Sequence, residues 1–142
     1  MKFIAVLPLV AGLMFASCAS AQWNGPEKAK LRTQVIAKVG KVNSLEITPF
    51  YGDYDSDAKD DALVFAYYED RNGGNSMSLD VFLFKGTAKG FSFVKKVPNV
   101  YGSSPRMARF SPGSIKVTLT TLGPNDPRCC PTGTKEYTIS AK

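Results

Sequence analysis

The sequence predicts an α+β domain, in which one N-terminal amphipathic helix packs on an antiparallel sheet of about five to six strands. Apolar residues recur at helical spacing only near the start of the domain, over Glu27–Val39. From Ser44 onward, short apolar runs of strand length are separated by turn-forming Gly, Pro and Asn. One helix followed by a run of antiparallel strands is typical of an α+β domain.

The helix is predicted over Glu27–Val39. Pro26 suits the first turn, because its missing N–H would have no partner there, and Gly40 suits the C-terminal cap. The residues on the apolar face, spaced by four, are Leu31, Val35 and Val39.

The strands follow from local apolar patterns. Ala62–Tyr68 is apolar on both faces, which predicts a central strand covered on one side by the helix. Residues 72–75 read Asn-Gly-Gly-Asn, a strong turn signal. Ile115–Thr121 alternates with polar residues, so that strand has one wet face. The remaining predicted segments are Ser44–Phe50 (ending near Pro49), Ser78–Lys85, Phe91–Val97, a weak Met107–Phe110, and Lys135–Ser140.

Residues 1–21 have the form of an export signal: a positive start, a short apolar run, and the small residues Ala-Ser-Ala at the cleavage site. Cleavage there leaves residues 22–142 as a single domain. A lipoprotein signal over residues 1–17 is the alternative, because residues 15–18 resemble a lipobox in which Cys18 would be acylated. We expect a periplasmic or secreted protein in the first case. In the second we expect a protein held at the membrane only by its lipid.

The composition excludes several kinds of chemistry. The 142-residue chain contains no histidine, which rules out Ser-His and Cys-His nucleophiles and nearly all usual zinc sites. Its net charge of +6 favours an anionic partner in the envelope, although a basic surface can also serve solubility alone. In an exported protein we expect no nucleic-acid partner.

Residues 53–61 place aspartates at the spacing D-x-D-x-D-x-x-x-D, which suits a hard cation such as Ca²⁺. Ala58 stands where such loops usually have Gly, and Val64 replaces the Glu of an EF-hand. A solvated acidic turn is the alternative. The predicted ligands are the side chains of Asp53, Asp55, Asp57 and Asp61 and the carbonyl oxygen of Lys59.

Cys129 and Cys130 are adjacent in a proline-rich segment. An oxidising compartment favours a disulfide between them, but neighbouring Cα atoms are closer than an ordinary disulfide allows, so the ring would be strained. Two alternatives remain open: a reduced pair buried against the core, and a redox or soft-metal site.

The segment Gly123–Thr132, Gly-Pro-x-Asp-Pro-x-Cys-Cys-Pro-Thr, resembles one found in small exported bacterial proteins of the LppP/LprE-like lipoprotein group. Gly52–Ala62 matches a second motif of that group, with Ala58 in place of the usual Gly. The resemblance implies export and a small β-rich domain. It implies no established activity and no catalytic residues.

We therefore expect a non-enzymatic binding or interaction module of the cell envelope, with a Ca²⁺-ordered Asp loop. Its expected contact surface includes Tyr51, Tyr54 and Arg128, and its partner is an envelope protein or an anionic envelope component. Two other functions remain open. One is an inhibitor or immunity-type partner of a secreted hydrolase, and the other is a thiol-redox protein that uses the Cys129–Cys130 pair.

Overall fold

The computed structural model describes residues 24–69 and 77–142. The expected signal, Cys18 and the turn at residues 72–75 lie outside these ranges. Within them the chain forms one helix followed by seven strands: α1 (Pro26–Val39), β1 (Ser44–Gly52), β2 (Asp61–Glu69), β3 (Ser78–Thr87), β4 (Gly90–Lys96), β5 (Ser103–Ser111), β6 (Ser114–Thr121) and β7 (Gly133–Ser140).

The strands form two antiparallel sheets. The first has the order β1-β2-β3-β4 and the second has the order β5-β6-β7, so each strand pairs only with its neighbours in sequence. Ala62 of β2 pairs with Tyr51 of β1 and Phe84 of β3, which brings the β1–β2 loop close to the end of β3. The two sheets face each other across a shared hydrophobic core.

Burial of β2 on both faces defines the layers. One face contributes Ala62 and Val64 to a core with Leu31 and Val35 of α1. The other contributes Leu63, with Phe65, to a core with residues of the second sheet: Ile115, Val117, Leu119 and Ile139. The molecule therefore has three layers, in the order helix, four-stranded sheet, three-stranded sheet.

The predicted fold, one helix on a single sheet of five to six strands, is wrong. The structure is mostly β, with two sheets and one short helix. The alternating pattern in Ile115–Thr121 identified a strand with one buried face, and burial follows that pattern. The pattern could not reveal that the covering layer is a second sheet. The connection from β4 to β5, residues 97–102, carries the chain from one sheet to the other.

Most element positions agree with the sequence pattern. The helix begins at Pro26 and ends at Val39, followed by Gly40 with a φ of 81° and an N–H that donates to the Ile36 carbonyl oxygen at 3.0 Å. β1 continues past Pro49 to Gly52. An edge strand tolerates proline, because one side of its backbone has no strand to bond.

The start of β5 was missed because its alternation is irregular. Its pairing with β6 shifts register on both sides of Arg106. Ser104 and Met107 adopt positive φ values of 49° and 53°. Bulges of this kind break the two-residue period by which strands are recognised. In the described ranges, no helix is long and apolar enough to cross a membrane.

Replacing Leu63 with Ala should lower the free energy of unfolding by about 2–5 kcal/mol, because a fully buried side chain between the two sheets leaves a cavity. Leu122→Ala is the matched control, since Leu122 is 55% exposed and should change stability by less than about 0.5 kcal/mol. Urea denaturation measures both. Equal effects of the two substitutions would contradict the two-sheet core.

Candidate functional site

The loop between β1 and β2 is organised by the side chain of Asp53. Its Oδ1 accepts hydrogen bonds from the backbone N–H groups of Asp55, Ser56 and Asp57, at 3.1, 2.6 and 3.3 Å. Its Oδ2 accepts one from the N–H of Ala58 at 2.8 Å. Desolvation acts to raise the pKa of Asp53, but these four bonds outweigh it and hold the pKa below its ordinary value. The ionised carboxylate of Asp53 therefore stabilises this conformation of the loop.

Asp61 closes the loop from inside the protein. It is fully buried, and its Oδ2 and Oδ1 accept hydrogen bonds from the N–H groups of Tyr54 at 2.9 Å and Gly86 at 2.8 Å. Burial raises its pKa, with the negative charges of Asp55 and Asp57 acting in the same direction, against these two bonds. Asp61 thus joins the loop to the end of β3.

Gly86 is needed for this close approach. A Cβ at that position would lie 2.2 Å from the carbonyl oxygen of Asp60, a backbone atom that cannot move aside cheaply. The glycine therefore allows β3 to run against the loop and to present its N–H to Asp61.

Asp53, Asp55 and Asp61 form a group that could hold a metal ion, because one oxygen of each lies within 4.8 Å of the others. The ammonium of Lys85, at the end of β3, bonds Asp55 Oδ2 and lies 3.5 Å from Asp57 Oδ2. The bond to Asp55 is the main reason why the pKa of Lys85 is raised. The positive charge of Lys85 therefore balances part of the negative charge of the loop.

The predicted ligand set is only partly assembled. Asp57 is not part of the three-carboxylate group: its Oδ1 accepts the N–H of Lys59 at 2.9 Å, and its Oδ2 lies 3.4 Å from the Lys59 ammonium. Lys59, predicted to offer its carbonyl oxygen, thus contacts Asp57 through both of its nitrogens. Ala58 has a φ of 64°, the left-handed conformation for which glycine is usual, at a cost of about 1–2 kcal/mol.

Lys85 and Gly86 were missed by the sequence analysis because they are distant from the loop in sequence. Pairing of Ala62 with Phe84 places Lys85 next to Asp61. Aligning the apolar runs of β2 and β3 as a hairpin would have placed both residues beside the loop.

The residues predicted as a contact surface have three different environments. Tyr54 is 5% exposed and belongs to the core between the sheets, so it presents no surface. Tyr51 is half-buried, with the Lys28 ammonium 4.3 Å from its ring centroid; burial, helped by the charge of Asp60, raises its pKa to about 12. Arg128 is exposed in the cysteine loop.

The cysteine loop is held by Asp126. Its Oδ2 accepts the N–H groups of Gly123 at 2.7 Å and Thr132 at 2.6 Å, and its Oδ1 accepts the Thr132 hydroxyl at 2.8 Å. Cys129 and Cys130 are free thiols and both are exposed. A hydrogen bond between the two thiols raises the pKa of Cys130. The disulfide stays a prediction, and the thiols do not pack against the core.

Comparison of this chain with protein-family models, with curated proteins and with solved structures found no match. The resemblance to LppP/LprE-like lipoproteins, based on two short motifs, therefore stays a prediction.

Replacing Asp61 with Asn should lower the free energy of unfolding by about 1–3 kcal/mol. The NH₂ group of Asn would face one of the two backbone N–H groups that donate to the carboxylate in the wild type, and that buried N–H would lose its acceptor. Asp60→Asn is the control, since Asp60 is exposed beside it and should change stability by less than about 0.5 kcal/mol. Chemical denaturation at neutral pH measures both. An Asp61→Asn variant as stable as the control would contradict the role of Asp61 in closing the loop.

Stability should fall on acidification in a way that depends on Asp53. Because its folded pKa lies below the ordinary value of 3.8, its contribution is present above that value and is lost as the pH falls through the folded pKa. Asp53→Asn should therefore show a smaller loss of stability between pH 6 and pH 2 than the wild type.

The measurement is the denaturation midpoint of both proteins at each pH. Taking the difference between the two removes the contribution of Asp61, whose raised pKa has the opposite sign. Parallel curves over the whole range would contradict the assignment to Asp53.

Proposed function

We propose that this protein is an exported, non-enzymatic binding module of the cell envelope, whose Asp loop is ordered by Ca²⁺. The observation that supports the cation most directly is the convergence of three carboxylates, Asp53, Asp55 and Asp61, on one point. An all-oxygen ligand set suits a hard divalent cation better than a soft one. The absence of histidine supports the non-enzymatic part of the proposal.

Loop geometry also supports a cation at this position. Asp53 already gathers four backbone N–H groups, so little of the loop has to reorganise on binding. A divalent cation would replace the Lys85 ammonium as the partner of Asp55. It would also relieve the repulsion that Asp55 and Asp57 exert on buried Asp61.

The basic charge supports an envelope partner of opposite charge. The chain carries +6 overall although five of its twelve acidic residues lie in the Asp loop, so the remainder is strongly basic. A basic surface attracts anionic envelope components, and a Ca²⁺-ordered loop would add a local acidic patch to it.

Millimolar Ca²⁺ should raise the Tm of the domain, because an ion that binds only the folded state stabilises it. With a Kd of about 10⁻³ M, as in extracellular modules, 10 mM Ca²⁺ stabilises by about 1.4 kcal/mol, a rise of roughly 3–6 °C. Differential scanning calorimetry with Ca²⁺ and with chelator measures the shift.

Two variants make the result specific. Asp55→Asn should abolish the shift, whereas Asp60→Asn, in the same loop but outside the three-carboxylate group, should keep it. Lys85→Gln should strengthen the response, because it removes the ammonium that competes for Asp55. No shift in the wild type, or an equal shift in Asp55→Asn, would overturn the cation site.

A further inference from the structure

A cleft of about 830 Å³ opens at the end of the four-stranded sheet away from the Asp loop. One wall is the face of that sheet turned toward the second sheet, at the start of β1 and the end of β2. The other is the segment 101–105, which leads into β5. The volume falls within the range of ordinary ligand sites.

The wall over the cleft is fixed by three tyrosine hydrogen bonds and one glycine. The Tyr67 hydroxyl donates to the Gly102 carbonyl oxygen at 3.0 Å, across the cleft. The Tyr137 hydroxyl donates to the carbonyl oxygen of Tyr101 at 2.7 Å and accepts its N–H at 3.2 Å. Gly102 has a φ of 133°, and a Cβ there would lie 2.6 Å from the Thr120 carbonyl oxygen. The wall is therefore in place before any ligand arrives.

Among the residues that the structure describes, the lining of the cleft is acidic, whereas the chain as a whole is basic. The described lining includes two acidic residues, Glu46 and Asp80, and no Lys or Arg. Asp80 alternates with Phe82 on the face of β3 turned toward the helix, and its carboxylate is paired with Lys96 at 2.6 Å. Glu46 is exposed and forms no ion pair with any residue in the described ranges.

Tyr67 stays neutral beside Glu46. Burial, and secondarily the charge of Glu46, raises the pKa of Tyr67 to about 12, so its hydroxyl remains a donor to Gly102 at physiological pH. The ring of Tyr101 is 68% exposed at the opposite wall. Within the described part of the chain, the cleft thus combines the carboxylate of Glu46, which has no ion-pair partner there, with two aromatic side chains.

We propose that this cleft binds the basic side chain of a peptide, a Lys ammonium or an Arg guanidinium, between Glu46 and the rings of Tyr67 and Tyr101. A carboxylate and aromatic faces both attract a cation, and the attraction of the rings needs no second charge. Thr48 and Ser103 also line the cleft, and hydroxyl side chains of this kind suit peptide amide groups. A free amine of a few atoms would leave most of the 830 Å³ unfilled, which favours a peptide.

This inference goes beyond the proposed Ca²⁺ loop and does not depend on it. Glu46 is at the start of β1, whereas the three-carboxylate group follows the end of that strand. Failure of one site therefore leaves the other intact, and the test is run in chelator to keep them separate.

The probes are acetyl-Gly-Arg-Gly-amide, its citrulline counterpart and methylguanidine. Citrulline has nearly the shape of arginine without its charge. In NMR titrations with chelator, the arginine peptide should bind about three- to tenfold more tightly than the citrulline peptide, the effect of one exposed charge pair plus ring contacts. It should shift the amide signals of Tyr67 and Gly102. Equal affinities of the two peptides would overturn the proposal, as would the absence of binding by either.

Variants assign the binding to named groups. Glu46→Gln should weaken binding of the arginine peptide by about two- to fivefold. Glu136→Gln, which removes an exposed charge from the second sheet, should leave its affinity unchanged. Tyr101→Leu should weaken it while leaving the denaturation midpoint unchanged, since the ring is exposed. Equal affinities for methylguanidine and the peptide would overturn the proposal that the ligand is a peptide. Equal effects of Glu46→Gln and Glu136→Gln would overturn the assignment of the site to this cleft.

Discussion

The two-sided burial of β2 is the constraint on which the rest of the structure depends. Residues 61–66 are all fully buried, so both faces of this strand require a covering layer. The helix supplies one layer and the three-stranded sheet supplies the other. Because strands β1 and β3 are bonded to β2 on either side, the ends of all three are fixed together. The Asp loop lies at one end of this group and the cleft at the other.

Asp61 connects that constraint to the loop. It is the first residue of β2 and, among the residues that the structure describes, the one charged residue that is buried. A carboxylate in that position is tolerable only because two backbone N–H groups bond it. The same residue therefore anchors the loop, limits how the loop can move and supplies an oxygen to the candidate cation position. The ammonium of Lys85, on the neighbouring strand, compensates part of the negative charge of the carboxylates in the loop.

How much the sequence could predict depended on whether the signal was local. The helix, the β2 strand and the aspartate spacing are each contained in fewer than fifteen residues, and each was found at nearly its observed position. Alternation in Ile115–Thr121 showed which side chains are buried but not what covers them, so the second sheet was missed. Lys85 and the cleft residue Glu46 are brought near their partners by strand register, and Tyr101 reaches the cleft from the connection between the two sheets. Tyr54, predicted as part of a contact surface, lies in the loop after β1 and is buried in the core between the sheets.

The strand order has a consequence for how the chain folds. Every pairing between the described strands joins strands that are consecutive in sequence, so each sheet can form without bringing together distant parts of the chain. The core between the sheets, by contrast, joins residues that are distant in sequence, and contacts of that kind slow folding. The shared core brings together side chains from residues 50 to 141. We therefore expect the packing of the two sheets against each other, rather than the formation of either one, to carry the larger cost in chain entropy.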